Sequence, residues 1–193
     1  MELDLGREKA YWTGVYESEV QAILAAELGP ESVFWDVGAH LGFFSVCARR
    51  LGAAAVAFEA APDNAVRLRR HGELNGFAVV EAAVWRDAGG VGLDRGPSPE
   101  QWAVHAGGDT RSVTLDDTAS ESAWPTLVKL DVEGAGGPVL EGATAIVAAR
   151  RTTFVCEIHG SDEEREVRRL LEGYDLVPAG TASRLVARPP SQG

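Results

Sequence analysis

The chain has 193 residues, of which 45% are hydrophobic and 24% charged, and this composition suits one globular domain with a buried core. Its formal net charge of −11 argues against nucleic acid or an anionic membrane as a partner, because both bind clustered basic charge. Residues 1–10 show no signal-peptide pattern, and no apolar run approaches the roughly 20 residues of a membrane span. Cys47 and Cys156 lie in separate apolar runs, which favours buried thiols in a reducing, cytoplasmic compartment.

Strands and helices alternate along most of the chain. The pattern predicts helices at 17–28, 43–51, 62–74, 137–149 and 162–172, and strands at 33–37, 54–59, 77–84, 126–132 and 153–159. Shorter strands are predicted near 90–93 and 111–115, and an antiparallel pair at 174–177 and 183–187. Because strand–helix–strand crossovers produce parallel pairing, we expect an α/β fold with a mostly parallel sheet, an antiparallel C-terminal edge and helices on both faces.

The expected organisation is a leader and helix over residues 1–30 that pack on the core, a main domain over 31–188 and a loose tail over 189–193. Within the domain, residues 85–111 are rich in Gly and Pro. We expect this segment to form a hairpin or loop over the carboxyl ends of the strands, where it would be a candidate substrate lid.

The turn after the first strand reads Asp36-Val37-Gly38-Ala39-His40-Leu41-Gly42. Two glycines suit a backbone that must approach a ligand closely, but the three-glycine dinucleotide fingerprint is absent. Glu59 follows at the end of the second strand, where an acidic side chain can accept both ribose hydroxyls of a nucleotide. The turn and this acid are compatible with NAD and with S-adenosylmethionine (SAM), and the missing glycine favours SAM because it has no pyrophosphate.

Ionisable residues alternate in Lys129-Leu130-Asp131-Val132-Glu133, so Lys129 and Asp131 project from one face of a strand, with Glu133 at or just past its end. The next strand ends in Glu157-Ile158-His159. If the strands are neighbours, these groups converge at the carboxyl edge of the sheet, where α/β enzymes bind their ligands. An internal ion pair between Lys129 and Glu157 or Asp131 is the purely structural alternative. Lys9 is the only other lysine among 18 basic residues.

These motifs resemble the FkbM family of SAM-dependent methyltransferases. The matching pieces are Trp12-Thr13-Gly14-x-Tyr16-Glu17, residues 36–42, Phe58-Glu59-x-x-Pro62-x-Asn64, Asn75-Gly76, Ala83-Val84 before Asp87, Thr114-Leu115-Asp116-Asp117, residues 128–134, Val139-Leu140-x-Gly142 and residues 157–159. Two positions depart from the family pattern. Ala60 stands where Pro is common, and Gly136 stands where Glu is usual, so any role of that Glu in the family is in doubt here.

The resemblance implies a Rossmann-like class I methyltransferase with a seven-stranded sheet. It also implies methyl transfer from SAM to an acceptor, most often a hydroxyl of a sugar or natural product. The cofactor contacts that it implies are Asp36, Gly38, Ala39, His40, Gly42, Glu59, Ala60, Ala83, Val84 and Asp131, with Trp85 nearby. For catalysis we expect His159 as the general base, Asp131 as the second candidate and Lys129 to orient or tune either of them.

Other interpretations stay open from the sequence alone. An NAD(P)-linked oxidoreductase and a non-catalytic scaffold that binds SAM or a partner are the alternatives. No metal is expected, but Asp131, Glu133 and His159 would be the ligands if one is present. His71 and His105 are expected on a helix surface and in a loop. The acceptor is expected to be a small molecule, and a homodimer is open.

Overall fold

The computed structural model describes residues 1–3, 9–96, 102–180 and 183–191. The strands in these residues are β1 (Val33–Val37), β2 (Ala54–Phe58), β3 (Ala78–Val80), β4 (Ala83–Val84), β5 (Gly89–Arg95), β6 (Trp102–Ala106), β7 (Thr110–Val113), β8 (Leu127–Leu130), β9 (Thr153–Glu157), β10 (Asp175–Pro178) and β11 (Arg184–Arg188). The helices are α1 (Lys9–Trp12), α2 (Ser18–Glu27), α3 (Phe43–Arg50), α4 (Pro62–Asn75), α5 (Leu115–Glu121), α6 (Gly136–Glu141), α7 (Thr144–Ala149) and α8 (Ser161–Leu170). None of the described helices is long and apolar enough to cross a membrane.

The main sheet has seven strands in the order β10-β11-β9-β8-β1-β2-β3. Strands β9, β8, β1, β2 and β3 run parallel to one another, whereas β11 pairs antiparallel with both β9 and β10. The predicted α/β architecture, with a mostly parallel sheet and an antiparallel C-terminal edge, is therefore confirmed. The order reverses at β1, between β8 and β2, which is where ligands bind in open α/β sheets.

Helices cover both faces of this sheet. One apolar cluster joins α2, α3 and α4 to the face that carries Phe34, Leu127 and Val155. The other joins α6, α7 and α8 to the opposite face, through Trp35 and Phe154 among others. Successive residues of a strand alternate between faces, so the polar residues of β1, β8 and β9 share the first face with Phe34. The α2–α4 side therefore has a polar strip at the end of an apolar layer.

The predicted strand over 77–84 is wrong as a single element. β3 stays in the main sheet, with Val80 beside Phe58, and the chain then turns at Ala82, whose N–H donates to the Val80 carbonyl at 3.0 Å. β4 pairs instead with β7 in a second, four-stranded sheet of order β4-β7-β5-β6. The β-propensity continues through residues 77–84, so the sequence does not show the change of sheet. Local sequence does not specify which strand a residue hydrogen-bonds to.

Two other predictions near this sheet need correction. The helix predicted over 137–149 is two helices that meet at Gly142, where a Cβ would lie 3.2 Å from the carbonyl carbon of Trp85. The strand predicted over 111–115 ends at Val113, and α5 begins after it. Thr114 caps α5, since its hydroxyl accepts the Asp117 N–H at 2.9 Å. A Thr three residues before an acid is a helix-start signal that the strand interpretation overlooked.

Residues 85–111 contain the β5–β6 hairpin and the start of β7, except for residues 97–101, which lie outside the described part. The lid role of this segment stays a prediction. Both thiols are free, and burial raises the pKa of Cys47 to about 11 and that of Cys156 to about 12. Both thiols are therefore protonated near neutral pH. Cys156 is buried as expected, whereas Cys47 is only half-buried.

Candidate active site

A cleft of about 550 Å³ lies at the carboxyl ends of β1, β2 and β8. The strand ends contribute Val37, Gly38, His40, Phe58, Glu59, Ala60, Ala82, Ala83, Val84, Asp131, Val132 and Glu133. Residues 9–17, which we call the N-terminal arm, contribute Ala10, Tyr11 and Tyr16, α4 contributes Asn64 and Arg67, and the β5–β6 hairpin contributes Leu93, Trp102 and Val104. The cleft is thus enclosed by the sheet edge, the arm and the hairpin.

At Gly38 the backbone of the turn after β1 passes close to the backbone of Asp131, just after β8. Its φ of 76° is left-handed, and an added Cβ would fall on the Asp131 carbonyl oxygen and 2.9 Å from the carbonyl carbon. Gly42 is also left-handed, but a Cβ there would meet Leu68 of α4 at 2.6 Å. Gly38 therefore lets the backbone of the turn pass over the end of β8, whereas Gly42 permits close packing of the turn against α4.

Glu59 holds the turn in place. Its Oε2 accepts the His40 N–H and its Oε1 accepts the Ala61 N–H, both at 2.8 Å. Burial raises the pKa of Glu59, although these two N–H groups and the Asn64 side chain favour the ionised form. Glu59 lines the cleft beside Ala60, so its carboxylate is both a support of the turn and a polar group that a ligand can reach.

The buried Lys129 forms an ion pair with the half-buried Asp131. The Lys129 Nζ lies 3.0 Å from Asp131 Oδ2 and 5.1 Å from the centroid of the Phe44 ring. Burial alone would raise the pKa of Asp131, but the charge and the hydrogen bond of Lys129, together with the charges of His159 and Arg184, lower it. The pKa of Lys129 is raised because Asp131 and Asp36 outweigh its desolvation. Lys129 itself does not line the cleft, so the pair presents the Asp131 carboxylate, ionised, to the cavity.

Asp36 lies beneath the cleft rather than in its wall. It is opposite Lys129 in the β1–β8 register, and its Oδ2 accepts both the N–H and the hydroxyl of Ser45. Its Oδ1 is buried without a hydrogen-bond partner in the described residues, and burial raises its pKa. Asp36, Ala39 and Gly42 do not line the cleft, and the direct cofactor contacts expected for them from sequence stay a prediction.

His159 lies behind Asp131, outside the cleft wall. Its Nε2 is 3.9 Å from Asp131 Oδ1 and 3.7 Å from Glu133 Oε2, and its Nδ1 is 3.7 Å from Glu163 Oε2. Glu163 also accepts the backbone N–H of His159 at 2.7 Å. The hydrogen bond to Glu163 raises the pKa of His159. The structure thus brings both candidate bases together, with only Asp131 at the cavity.

Sequence analysis missed Glu163, a buried acid in the first turn of α8. Its second oxygen accepts the Gly136 N–H at 2.9 Å, and a Cβ at Gly136 would lie 2.9 Å from that oxygen. Glu163 therefore occupies the space that a side chain at 136 would need, which accounts physically for Gly136. Burial would raise the pKa of Glu163, but its hydrogen bonds from His159 and Gly136 lower it. The sequence signal that could have indicated this contact is the spacing of Glu163, four residues after His159.

Replacing Glu163 with Gln should change how stability depends on pH. Because the folded-state pKa of Glu163 is lowered, its contribution is complete above the ordinary pKa and is lost as pH falls through the lower folded-state pKa. The raised pKa of His159 adds stability at low pH that is lost as pH rises through the folded-state pKa. We expect E163Q to cost about 1–3 kcal/mol of unfolding free energy near pH 6 and much less near pH 3. Urea unfolding across this range measures it, and a loss independent of pH would contradict the ion-pair assignment.

The N-terminal arm is another feature that sequence analysis did not connect to the site. Tyr11 and His40 are hydrogen-bonded through the Tyr11 hydroxyl and His40 Nδ1 at 3.0 Å, and the rings of Tyr11 and Tyr16 lie 4.5 Å apart. Phe43 packs against both rings at 5.4 Å. Because both tyrosines line the cleft, the arm closes one side of it with an aromatic wall that carries two hydroxyl groups.

The other histidines differ from expectation. His71 is buried in α4, where its Nδ1 is 2.7 Å from the Leu41 carbonyl and its Nε2 accepts the Glu2 N–H, so the predicted surface position is wrong. His105 lies on β6 rather than in a loop, with its Nε2 3.2 Å from Asp94. Neither residue lines the cleft, and His71 instead supports the turn from below.

A metal ion at this edge of the sheet would compete with Lys129 and Arg184 for the same carboxylates. Asp131, Glu157 and His159 can bring ligand atoms within 4.8 Å of one another. Both carboxylates are already paired, Asp131 with Lys129 and Glu157 with Arg184 at 3.0 Å. This also settles the two ion-pair alternatives raised from sequence, because Lys129 pairs with Asp131 and not with Glu157. A divalent cation would have to displace two buried cations, so the residues present fit one poorly.

The family model for the methyltransferase FkbM domain matches residues 36–176, and the chain belongs to this family of SAM-dependent methyltransferases. Membership of this methyltransferase family favours SAM over the NAD(P)-linked alternative that the sequence left open. No curated protein matches the chain in sequence.

Solved structures share the fold at low identity. An FkbM methyltransferase from Methylobacillus flagellatus KT is 13% identical with a TM-score of 0.61, over 96% of this chain and 62% of that one. This chain thus spans less than two thirds of that relative. A magnesium protoporphyrin IX methyltransferase from Synechocystis PCC 6803, solved with bound SAM, is 13% identical with a TM-score of 0.58, over 97% of this chain and 86% of that one. A precorrin-6y C5,15-methyltransferase from Geobacter metallireducens GS-15 is 15% identical with a TM-score of 0.53, over 88% of this chain and 85% of that one.

Proposed function

We propose that this protein is an O-methyltransferase that transfers the methyl group of SAM to a hydroxyl of a small sugar or natural product. The observation that carries the proposal is the Asp131 carboxylate, which faces the cleft and is held by the buried Lys129 ammonium. An acceptor hydroxyl needs a fixed hydrogen-bond acceptor beside the methyl donor more than it needs a strong base. A carboxylate with a lowered pKa supplies that at neutral pH.

The chemical types of the residues that line the cleft suit the parts of SAM. Glu59 offers a carboxylate to ribose hydroxyls, Gly38 leaves backbone space beside Asp131, and Ala83 and Val84 give an apolar surface for adenine. When bound, SAM supplies a methyl group on a positively charged sulfur, which makes the carbon electrophilic. The acidic residues of the cleft match that charge, because opposite charges attract in a partly buried site.

Asp131 and His159 have separate tasks in this proposal. Asp131 accepts a hydrogen bond from the acceptor hydroxyl and aligns its oxygen with the methyl carbon. As the new C–O bond forms and the methyl–sulfur bond breaks to leave S-adenosylhomocysteine, the proton leaves the oxygen for the carboxylate of Asp131. His159, 3.9 Å behind it, is placed to receive the proton next, with Glu163 fixing the ring. Lys129 orients Asp131 and touches neither reactant.

The acceptor is proposed as a small molecule, without nucleic acid or membrane partners. Asp131, Glu133 and Glu59 line the cleft and would repel a phosphate backbone, although Arg67 contributes one positive charge. The walls that the arm and the hairpin add are aromatic and apolar, which suits the body of a neutral acceptor. No metal takes part, so EDTA should leave turnover unchanged.

Glu59→Gln tests the cofactor site. We expect the change to weaken SAM and S-adenosylhomocysteine (SAH) equally, by about 10-fold to 100-fold, because it removes hydrogen bonds to a charged group, worth about 1.5–3 kcal/mol. Calorimetric titration of both ligands, with NAD as a negative control, measures the effect. Glu81→Gln is the matched control, since Glu81 is an exposed acid just after β3 that pairs with Arg69 at 2.8 Å.

Two outcomes of these titrations would contradict the proposal. If wild-type protein does not bind SAM at millimolar concentration, the cofactor assignment is wrong. If SAM binds but SAH never forms with any hydroxylated sugar, phenol or alcohol in a screened panel, the protein is a SAM-binding scaffold. A product carrying the new methyl on nitrogen or carbon would contradict O-methylation alone and leave the class intact.

A further inference from the structure

Arg184 reaches the active-site edge of the sheet from the last strand of the chain. Its side chain is 6% exposed, and its Nη2 lies 2.6 Å from Glu17 Oε2 and 3.0 Å from Glu157 Oε2. Its Nη1 is 3.6 Å from Glu19 Oε2. Both Arg184 and Glu17 lie outside the residues that match the family model. Arg184 does not line the cleft, so any role in the reaction is exerted through other residues.

Lys129 and Arg184 lie among the same carboxylates, which are those of Asp131, Glu157 and Glu17. In the β8–β9 register, Lys129 is beside Val155, and Glu157 follows two residues further along β9 on the same face. A diagonal neighbour of this kind is within reach of a long side chain. The charge of Lys129 also acts on Glu17. Glu157 and Glu17 are therefore competitors of Asp131 for the Lys129 ammonium, and Arg184 occupies both of them.

We propose that Arg184 is a positioning residue of the active site, which binds Glu157 and Glu17 and thereby leaves Lys129 to Asp131. Without Arg184, the two carboxylates beside Lys129 lose their other cation, and the Lys129 side chain is drawn away from Asp131. The carboxylate in the cleft then loses the contact that fixes its orientation. The catalytic consequence rests on the proposed function, whereas the choice of partner by Lys129 can be measured without SAM.

Arg184 also fixes the arm. Glu17 has a left-handed φ of 41° just before α2, a conformation that is strained for a residue other than glycine and persists only where neighbours impose it. The 2.6 Å ion pair with Arg184 is such a constraint, and Tyr16 of the cleft wall is the preceding residue. One buried cation thus connects the aromatic wall to the acidic end of the sheet.

The test uses the fact that the chain has only two lysines, Lys9 and Lys129. Protein labelled with ¹³Cε-lysine gives two NMR signals, and Lys9→Arg identifies them. In the wild type, the Lys129 signal carries a ring-current shift from Phe44, 5.1 Å from the ammonium. We expect Arg184→Met to remove most of that shift. Arg184→Lys adds a third lysine signal and should keep most of the shift at Lys129.

Arg188→Met is the matched control, because Arg188 lies on the same strand and pairs with Glu27 at 2.7 Å away from the site. It should leave the Lys129 signal unchanged. If Arg184→Met does not fold, the double variant Arg184→Met/Glu157→Gln removes the main competitor, and its Lys129 signal should return towards the wild-type position.

An unchanged Lys129 signal in folded Arg184→Met overturns the proposal. The proposal is also overturned if the Lys129 signal of the double variant has the chemical shift of an exposed lysine instead of returning towards the wild-type position. Titration of SAM into the wild-type protein is read separately. Failure of SAM to bind would contradict the proposed function and would leave the assignment of Arg184 to the Lys129–Asp131 pair as measured.

Discussion

Gly38→Ala is expected to abolish SAM binding and to lower the unfolding free energy by about 2–5 kcal/mol. About 1–2 kcal/mol comes from placing a side chain in the left-handed region, and about 1–3 kcal/mol from overpacking. The overpacking arises because the new Cβ would fall on the backbone carbonyl of Asp131, which cannot rotate away as a flexible side chain can. Relief requires β1 and β8 to separate at the cleft. Urea unfolding and SAM titration measure both effects.

Gly134→Ala is the control that separates the two contributions. Gly134 is also left-handed, with φ 85°, but nothing lies within 4 Å of its added Cβ. It should therefore show only the conformational cost of about 1–2 kcal/mol and should retain SAM binding. Equal losses in the two variants would show that the close approach of Gly38 to Asp131 is not important.

Lys129→Met is expected to cost about 3–5 kcal/mol of unfolding free energy and to abolish SAH formation. Removal of one partner from a buried ion pair leaves the other charge desolvated and uncompensated. Here two carboxylates depend on the ammonium, Asp131 at 3.0 Å and Asp36 opposite it on β1. Lys9→Met is the matched control, because Lys9 is exposed in α1 and should cost almost nothing.

A double variant tests whether the loss is electrostatic. In Lys129→Met/Asp131→Asn the unpaired charge beside the cleft is gone, so we expect the double variant to recover part of the stability lost in the single one. SAH formation should stay absent in both. A double variant as unstable as the sum of its single changes would indicate that Lys129 contributes through packing against Phe44 rather than through its charge.

Local patterns were sufficient for much of the sheet. The strand predicted at 33–37 is confirmed residue for residue, and the predicted strands 54–59 and 153–159 extend only one or two residues too far. Buried parallel strands are short apolar runs bounded by turn residues, and those runs are visible in sequence. Where the run continued through a change of sheet, as at 77–84, the pattern could not show it.

The candidate site was predicted in part for a similar reason. Gly38, Glu59 and Asp131 follow strands, so their place at the carboxyl edge follows from topology, and all three line the cleft. Arg184 and Glu163 could not be predicted, because they reach the edge from an antiparallel strand and a helix whose positions depend on tertiary packing. Tyr11 lies on an arm that has no periodic pattern to place it.

The turn after β1 and the alternating charges of β8 therefore determine by themselves that this chain is an α/β protein with a ligand edge, and their order resembles FkbM methyltransferases. Only the tertiary structure decided that Lys129 pairs with Asp131, that Asp36 lies beneath the cleft and that Arg184 occupies Glu157. The physical reason is that an alternating strand specifies which face a side chain takes. The choice among nearby opposite charges depends on distances across strands that local sequence does not encode.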